Sequence, residues 1–96
     1  MGRKKAIHEI RIRKMRYTDA RAVLIQELNA AFVAGKTRVR IIHGIGSYQL
    51  HDLTRQVVQE LGLGNVVDNP LEANPGTTLV DLNPPDSMSM RTYLKR

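Results

Sequence analysis

Apolar and polar positions along the chain fall into short blocks with two distinct periods. From His8 to Lys14, HEIRIRK alternates, with Ile10 and Ile12 on one side and Glu9, Arg11 and Arg13 on the other. That period of two predicts a half-buried strand with one side facing water or a ligand. After Tyr17, Ala20, Val23, Leu24, Leu28 and Ala31 recur at helical spacing until Gly35, with Thr18 as the expected N-cap and Asp19 in the first turn. TRVRIIH then carries β-branched Val39, Ile41 and Ile42, as an interior strand covered on at least one face requires. A second helix is predicted from a Ser47 cap, with Leu50, Leu53, Val57, Val58 and Leu61 as its apolar stripe and Gly62 and Gly64 closing it. NVVD and TTLVDL read as two further strands, separated by NPLEANPG, whose prolines and glycine cannot continue a ladder.

The order strand, helix, strand, helix, strand, strand implies a right-handed βαβ crossover with a parallel pair, followed by an antiparallel hairpin. The expected fold is therefore α/β, a two-layer βαβαββ sandwich with a mixed four-stranded sheet and two helices. Ninety-six residues suffice for one core, expected over residues 7–82, with a basic tail at 1–6 and a Pro-led polar tail at 83–96.

Charge narrows the partners. Fifteen Lys and Arg against nine Asp and Glu give a formal +6, a field that attracts phosphates, acidic proteins or anionic surfaces, nucleic acid being the commonest of these. Four aromatic residues leave little for a base-stacking platform, so shape and phosphate recognition are expected rather than base-by-base reading. The absence of Cys excludes disulfides and thiolate metal sites. No apolar stretch approaches the ~18 residues of a membrane span, and MGRKKAIHEI lacks the apolar core of a signal peptide. A cytoplasmic protein without membrane contact is the default expectation.

Candidate chemistry concentrates at His43-Gly44-Ile45-Gly46-Ser47, between the second strand and the second helix. Such a junction gathers unpaired amides and the positive helix end, which suits an anion; simple turn chemistry is the other reading, and the residues alone leave both open. Protonated His43 could donate to a phosphate, and neutral His43 could take part in proton transfer, or the ring could be a half-buried structural group bonded to backbone. His51 and Asp52 do not complete a metal set with it, so neither metal nor other cofactor is expected.

Taken together, VRIIHGIGS leading into LHDLTRQVVQELG, with AAFVAGKTRVRIIHG, Glu72 and the closing PGTTLVDL, resembles the Smr (small MutS-related) domain family over about Ile10 to Leu82. The resemblance implies a fold likened to the C-terminal domain of a bacterial translation initiation factor. It also implies nucleic-acid binding, with nicking or structure-dependent endonuclease activity in several members. Two positions depart from the family pattern. Its first-strand motif usually reads Leu-Asp-Leu-His or Arg-Gly, whereas here Arg11 stands at the Asp position, Arg13 at the His or Arg position and Lys14 at the Gly. Arg cannot accept a proton, so Arg11 cannot orient a His or hold a metal or water for hydrolysis. Tyr48 replaces the last loop glycine, where its ring could stack on an unpaired base or cover the loop.

The leading expectation is a domain that binds structured or branched DNA or RNA. His43, Gly44, Gly46 and Ser47 would grip phosphate, Arg11, Arg13 and Arg40 would supply charge, and Tyr48 would stand at the helix entrance. An endonuclease using His43, with Glu72 or Asp52 compensating for the missing Asp, is the alternative. A protein-interaction module for an acidic or ribosomal partner is the third reading.

Overall fold

A computed structural model describes residues 7–46, 48–67 and 75–84. Ser47, the 68–74 segment with Glu72, and both expected tails from 1–6 and 85 onward lie outside the described residues. The elements run β1 (His8–Arg11), α1 (Tyr17–Val33), β2 (Arg38–Ile42), α2 (Tyr48–Leu61), β3 (Gly64–Val67) and β4 (Thr77–Leu82). Sheet order is β1-β2-β4-β3: β1 and β2 are parallel, and β4 pairs antiparallel with both β2 and β3. The predicted crossover and hairpin are both present, and the fold is the expected α/β sandwich.

Period-two alternation sets the two faces. Ile10, Ile12, Val39, Ile41, Val80 and Leu82 are buried on one face, where Leu24 and Leu28 of α1 and Leu50, Leu53 and Val57 of α2 cover them. Glu9, Arg11, Arg38, Arg40, Leu79 and Asp81 have the opposite parity and stay partly or fully exposed. Both crossovers therefore place their helices on the same side, which leaves the other sheet face open.

Local backbone chemistry ends each element. Gly35 (φ +79) follows α1, with Gly35 N–H donating to Phe32 O at 3.1 Å and Lys36 N–H to Ala31 O at 3.0 Å, the paired bonds of a Schellman motif. Gly62 (φ +65) closes α2 with one bond to Val58 O at 3.2 Å. Two expectations need correction. β1 stops at Arg11 rather than Lys14, because Met15 N–H donates to Ile12 O at 3.0 Å and folds residues 12–15 into a turn. The connector is then so short that the N-cap of α1 is Arg16, not Thr18, and no side chain caps it. Lys14 sits at φ +68, the left-handed conformation that a type II turn demands at its third position and that costs a residue such as Lys about 1–2 kcal/mol.

Gly64 does not close α2; it opens β3 opposite Leu82. A Cβ there would overlap the Asp81 carbonyl oxygen and stand 2.9 Å from Leu82 Cα, so only glycine lets the two strands meet. Gly64→Ala is expected to lower the stability measured by urea unfolding by about 3 kcal/mol, the upper range for forced overpacking. Asn65→Ala, an exposed neighbour, should change it by less than about 0.5 kcal/mol.

Candidate functional site

The C-terminal ends of parallel β1 and β2 and the start of β4 meet at one end of the sheet, since Arg11 pairs with Ile42 and Ile42 with Thr77. Open α/β sheets characteristically present ligand sites at such an end. Here it gathers the turn through Arg13 and Lys14, the glycine loop after Ile42, and Gly76. The core face of β2 continues past the strand: Val39, Ile41 and His43 share parity, and His43 is only 1% exposed.

The structure places His43 as a tie rather than a surface group. Its Nδ1 lies 3.2 Å from Gly44 O and its Nε2 2.9 Å from Thr78 Oγ1. A carbonyl only accepts, so Nδ1 carries the proton; in the neutral ring that burial favours, Nε2 then accepts from the Thr78 hydroxyl. Burial pushes its pKa below the ordinary 6.5, and the positive fields of His51 and Arg55 lower it further, against upward contributions from the Gly44 and Thr77 backbones. The His51 ring stands edge-on to it at 5.2 Å. With both nitrogens engaged beneath the surface, His43 neither reaches an external phosphate nor accepts a proton there. The ring is thus a buried joint between the loop and β4, with no free nitrogen turned to solvent.

The two loop glycines have different tasks. His43 N–H and Gly44 N–H both donate to Gly76 O, at 3.0 and 2.9 Å, so the Gly44 amide is not the bare donor expected of it. Gly44 adopts φ +89, and a Cβ on it would lie 3.1 Å from Arg13 Cγ, so the Arg13 stem packs over its α-carbon. Gly46, at φ +90, is exposed, with nothing within 4 Å of where a Cβ would stand. Beside it Ile45 and Tyr48 are 78% and 81% exposed. Tyr48 therefore does not cover the loop; its ring is presented to solvent at the first residue of α2.

The expected arginines separate into two environments. Arg11 and Arg40 lie on the open sheet face and share Glu9, at 3.3 and 3.6 Å. Arg38 makes a two-pronged pair with Asp81, at 2.6 and 3.2 Å. Three guanidiniums thus face two carboxylates on that surface. Arg13 is not a strand residue beside Arg11 but lies in the turn, exposed. Lys14 and Arg16 are exposed next to it, and no carboxylate of the described residues pairs with any of the three. Residue-by-residue matching singled out Arg13 but missed Lys14 and Arg16 as binding candidates; the dense run RKMR was the available signal. Among the described residues no three His, Cys, Asp or Glu side chains converge as a metal site, and no helix is long and apolar enough to cross a membrane.

A family model for the Smr domain matches residues 10–83. In three dimensions the chain is similar to the crystal structure of the Smr domain of Thermus thermophilus MutS2, with a TM-score of 0.73 and 26% identity, over 81% of this chain and 100% of that one. No curated protein matches it in sequence.

Because folding lowers the His43 pKa, the unfolded chain binds more protons just below pH 6.5. The contribution is therefore complete above that pH and is lost as pH falls from 6.5 toward the depressed folded value. Unfolding free energies measured between pH 5 and 8 should decline on the acid side in the native chain, and this part of the decline should vanish in His43→Gln.

Proposed function

The chain belongs to the Smr domain family, and from that membership we propose that it binds structured or branched DNA or RNA at the end of its sheet that carries the glycine loop. The observation that carries this reading is the separation of charge. The open sheet face balances most of its arginines with Glu9 and Asp81, whereas Arg13, Lys14 and Arg16 beside the loop have no carboxylate partner among the described residues. A polyanion supplies the missing negative charge, and its phosphates bind with release of counterions. Arg11, with a side chain 75% exposed, extends the positive surface toward the sheet.

Gly46 gives a phosphate close access to the turn, and Ser47 follows it in the sequence as a further hydroxyl donor. Tyr48 supplies what phosphate contacts lack, an aromatic face for an unpaired base. Structured substrates with loops, bulges or branch points offer such bases beside a continuous backbone, whereas blunt duplex offers only the backbone. The exposed tyrosine favours the first kind. Binding without cleavage is the better reading, because His43 is buried and Arg11 occupies the position where the family carries an acid.

With three to five phosphates engaged, log affinity for duplex DNA should fall with log salt at a slope of about −3 to −4.5. Gly46→Asp should weaken binding to every sequence tested, and Gly46→Asn, equally strained but uncharged, should weaken it much less. A slope near zero, or equal behaviour of the two variants, would count against the site. Tyr48→Ala should reduce affinity for a branched or bulged substrate by about 1–3 kcal/mol while leaving blunt duplex nearly unaffected, and Tyr48→Phe should retain the preference. Plasmid and RNA nicking assays with a His43→Ala control test the enzymatic alternative, for which no His43-dependent cleavage is expected.

A further inference from the structure

We propose that the turn joining β1 to α1 is a phosphate-binding site in its own right, and that Lys14 is its principal contact, held in a backbone conformation that lysine disfavours. The inference rests on the nucleic-acid reading above and names the residue on which much of it turns.

The turn is tied by the Met15 N–H bond to Ile12 O, with Arg13 and Lys14 as its central pair. Its third position takes φ +68, where glycine or asparagine fits without strain. Lys14 brings no compensating contact. It is exposed, and it has neither an ion pair nor a side-chain hydrogen bond among the described residues. Nothing in the packing of the described residues explains a lysine there, because glycine would satisfy the same turn at lower conformational cost.

Charge makes the placement more telling. Arg13, Lys14 and Arg16 put three exposed cations within four residues, and like charges so close repel one another unless an anion lies between or over them. The stem of Arg13 lies against the α-carbon of Gly44, which keeps the turn beside the glycine loop. A ligand that rewards this arrangement must offer several negative charges along a line, each at the surface rather than in a pocket. The phosphodiester backbone of a nucleic acid does so. Lys14 then contacts one phosphate as a point charge, with Arg13 and Arg16 toward its neighbours.

The test uses the full chain and a fluorescently labelled branched DNA, with a labelled RNA hairpin in parallel, and measures anisotropy across a salt series and the thermal midpoint of each variant. Lys14→Gly should raise the midpoint by about 2–4 °C, through relief of the left-handed strain less the added freedom of glycine in the unfolded chain. The same variant should bind about eightfold more weakly at 0.1 M salt, with the salt slope shallower by about 0.9, the signature of one lost phosphate. Lys14→Asn, which tolerates the backbone conformation without the charge, should show the same loss of binding. A Lys14→Gly chain that binds with native affinity and slope would overturn the proposal while leaving nucleic-acid binding intact, as would one that is less stable than the native chain. A polyglutamate peptide that competes as well as nucleic acid would reassign the turn to an acidic protein partner. Failure of the native chain to bind either nucleic acid would remove the functional reading and this one with it.

Discussion

The carbonyl of Gly76 accepts two successive amides, from His43 and Gly44, and the geometry of the whole loop end depends on that double acceptance. It fastens the end of β2 to the start of β4. It also turns the chain sharply enough that Gly44 must take φ +89. The His43 ring reinforces the same joint, since its proton goes to the Gly44 carbonyl while Thr78 of β4 donates to its other nitrogen. Both partners of the imidazole and both amides are thereby satisfied inside the protein, in surroundings where an unpaired polar group would cost about 1–3 kcal/mol. A histidine and a glycine that look like ligand contacts in the sequence are committed to holding the loop in shape.

What remains for a ligand follows from that commitment. Gly46 has open space where a Cβ would stand, Ile45 and Tyr48 are exposed beside it, and the Arg13 stem over Gly44 brings the basic turn against the loop. The open face of the sheet contributes less than its arginines suggest, because Glu9 lies directly across from Arg40 and Asp81 from Arg38 in the register of β1 with β2 and of β2 with β4. Cross-strand pairing of opposite charges steadies the sheet, and each such pair weakens the field available to a distant phosphate. Among the described residues, Arg13, Lys14 and Arg16 at the strand ends keep their positive charge, whereas that of the sheet face is largely balanced.

The first strand and both helices were legible from their periods, two in HEIRI and helical from Ala20 to Ala31 and from Leu50 to Leu61, and the other strands from β-branched runs bounded by Gly and Pro. The strand-glycine-helix junction itself marked the loop, and family resemblance added the departures at Arg11 and Tyr48. The burial of His43 was also legible, since it continues the parity of Val39 and Ile41 and a half-buried ring bonded to backbone was among the readings its residue type allows. The different tasks of Gly44 and Gly46 were not legible, because they are decided by a carbonyl 32 residues away from Gly44 in the chain. Nor was the tight turn after β1, since a lysine at its left-handed position gives none of the Gly or Asn marking by which such turns are recognised. Misplacing that turn extended β1 and shifted the expected cap of α1 by two residues.

Holding a phosphodiester and cutting it place different demands on the same surface. Cleavage needs a group that can take a proton from the attacking hydroxyl, or a metal that can do its work. At this end of the sheet the buried imidazole has no free nitrogen, and the residue that replaces the family's acid is an arginine, which donates hydrogen bonds and accepts none. The partly exposed imidazole there is His51, whose Nδ1 faces Asp52 at 3.3 Å while its ring stands perpendicular to the His43 ring. Cations, by contrast, serve binding without any such requirement, because each contact gains from the displaced counterion whichever nucleotide carries the phosphate. Arg11 and Lys14, standing where the family pattern has an acid and a glycine, both add positive charge at this end of the sheet.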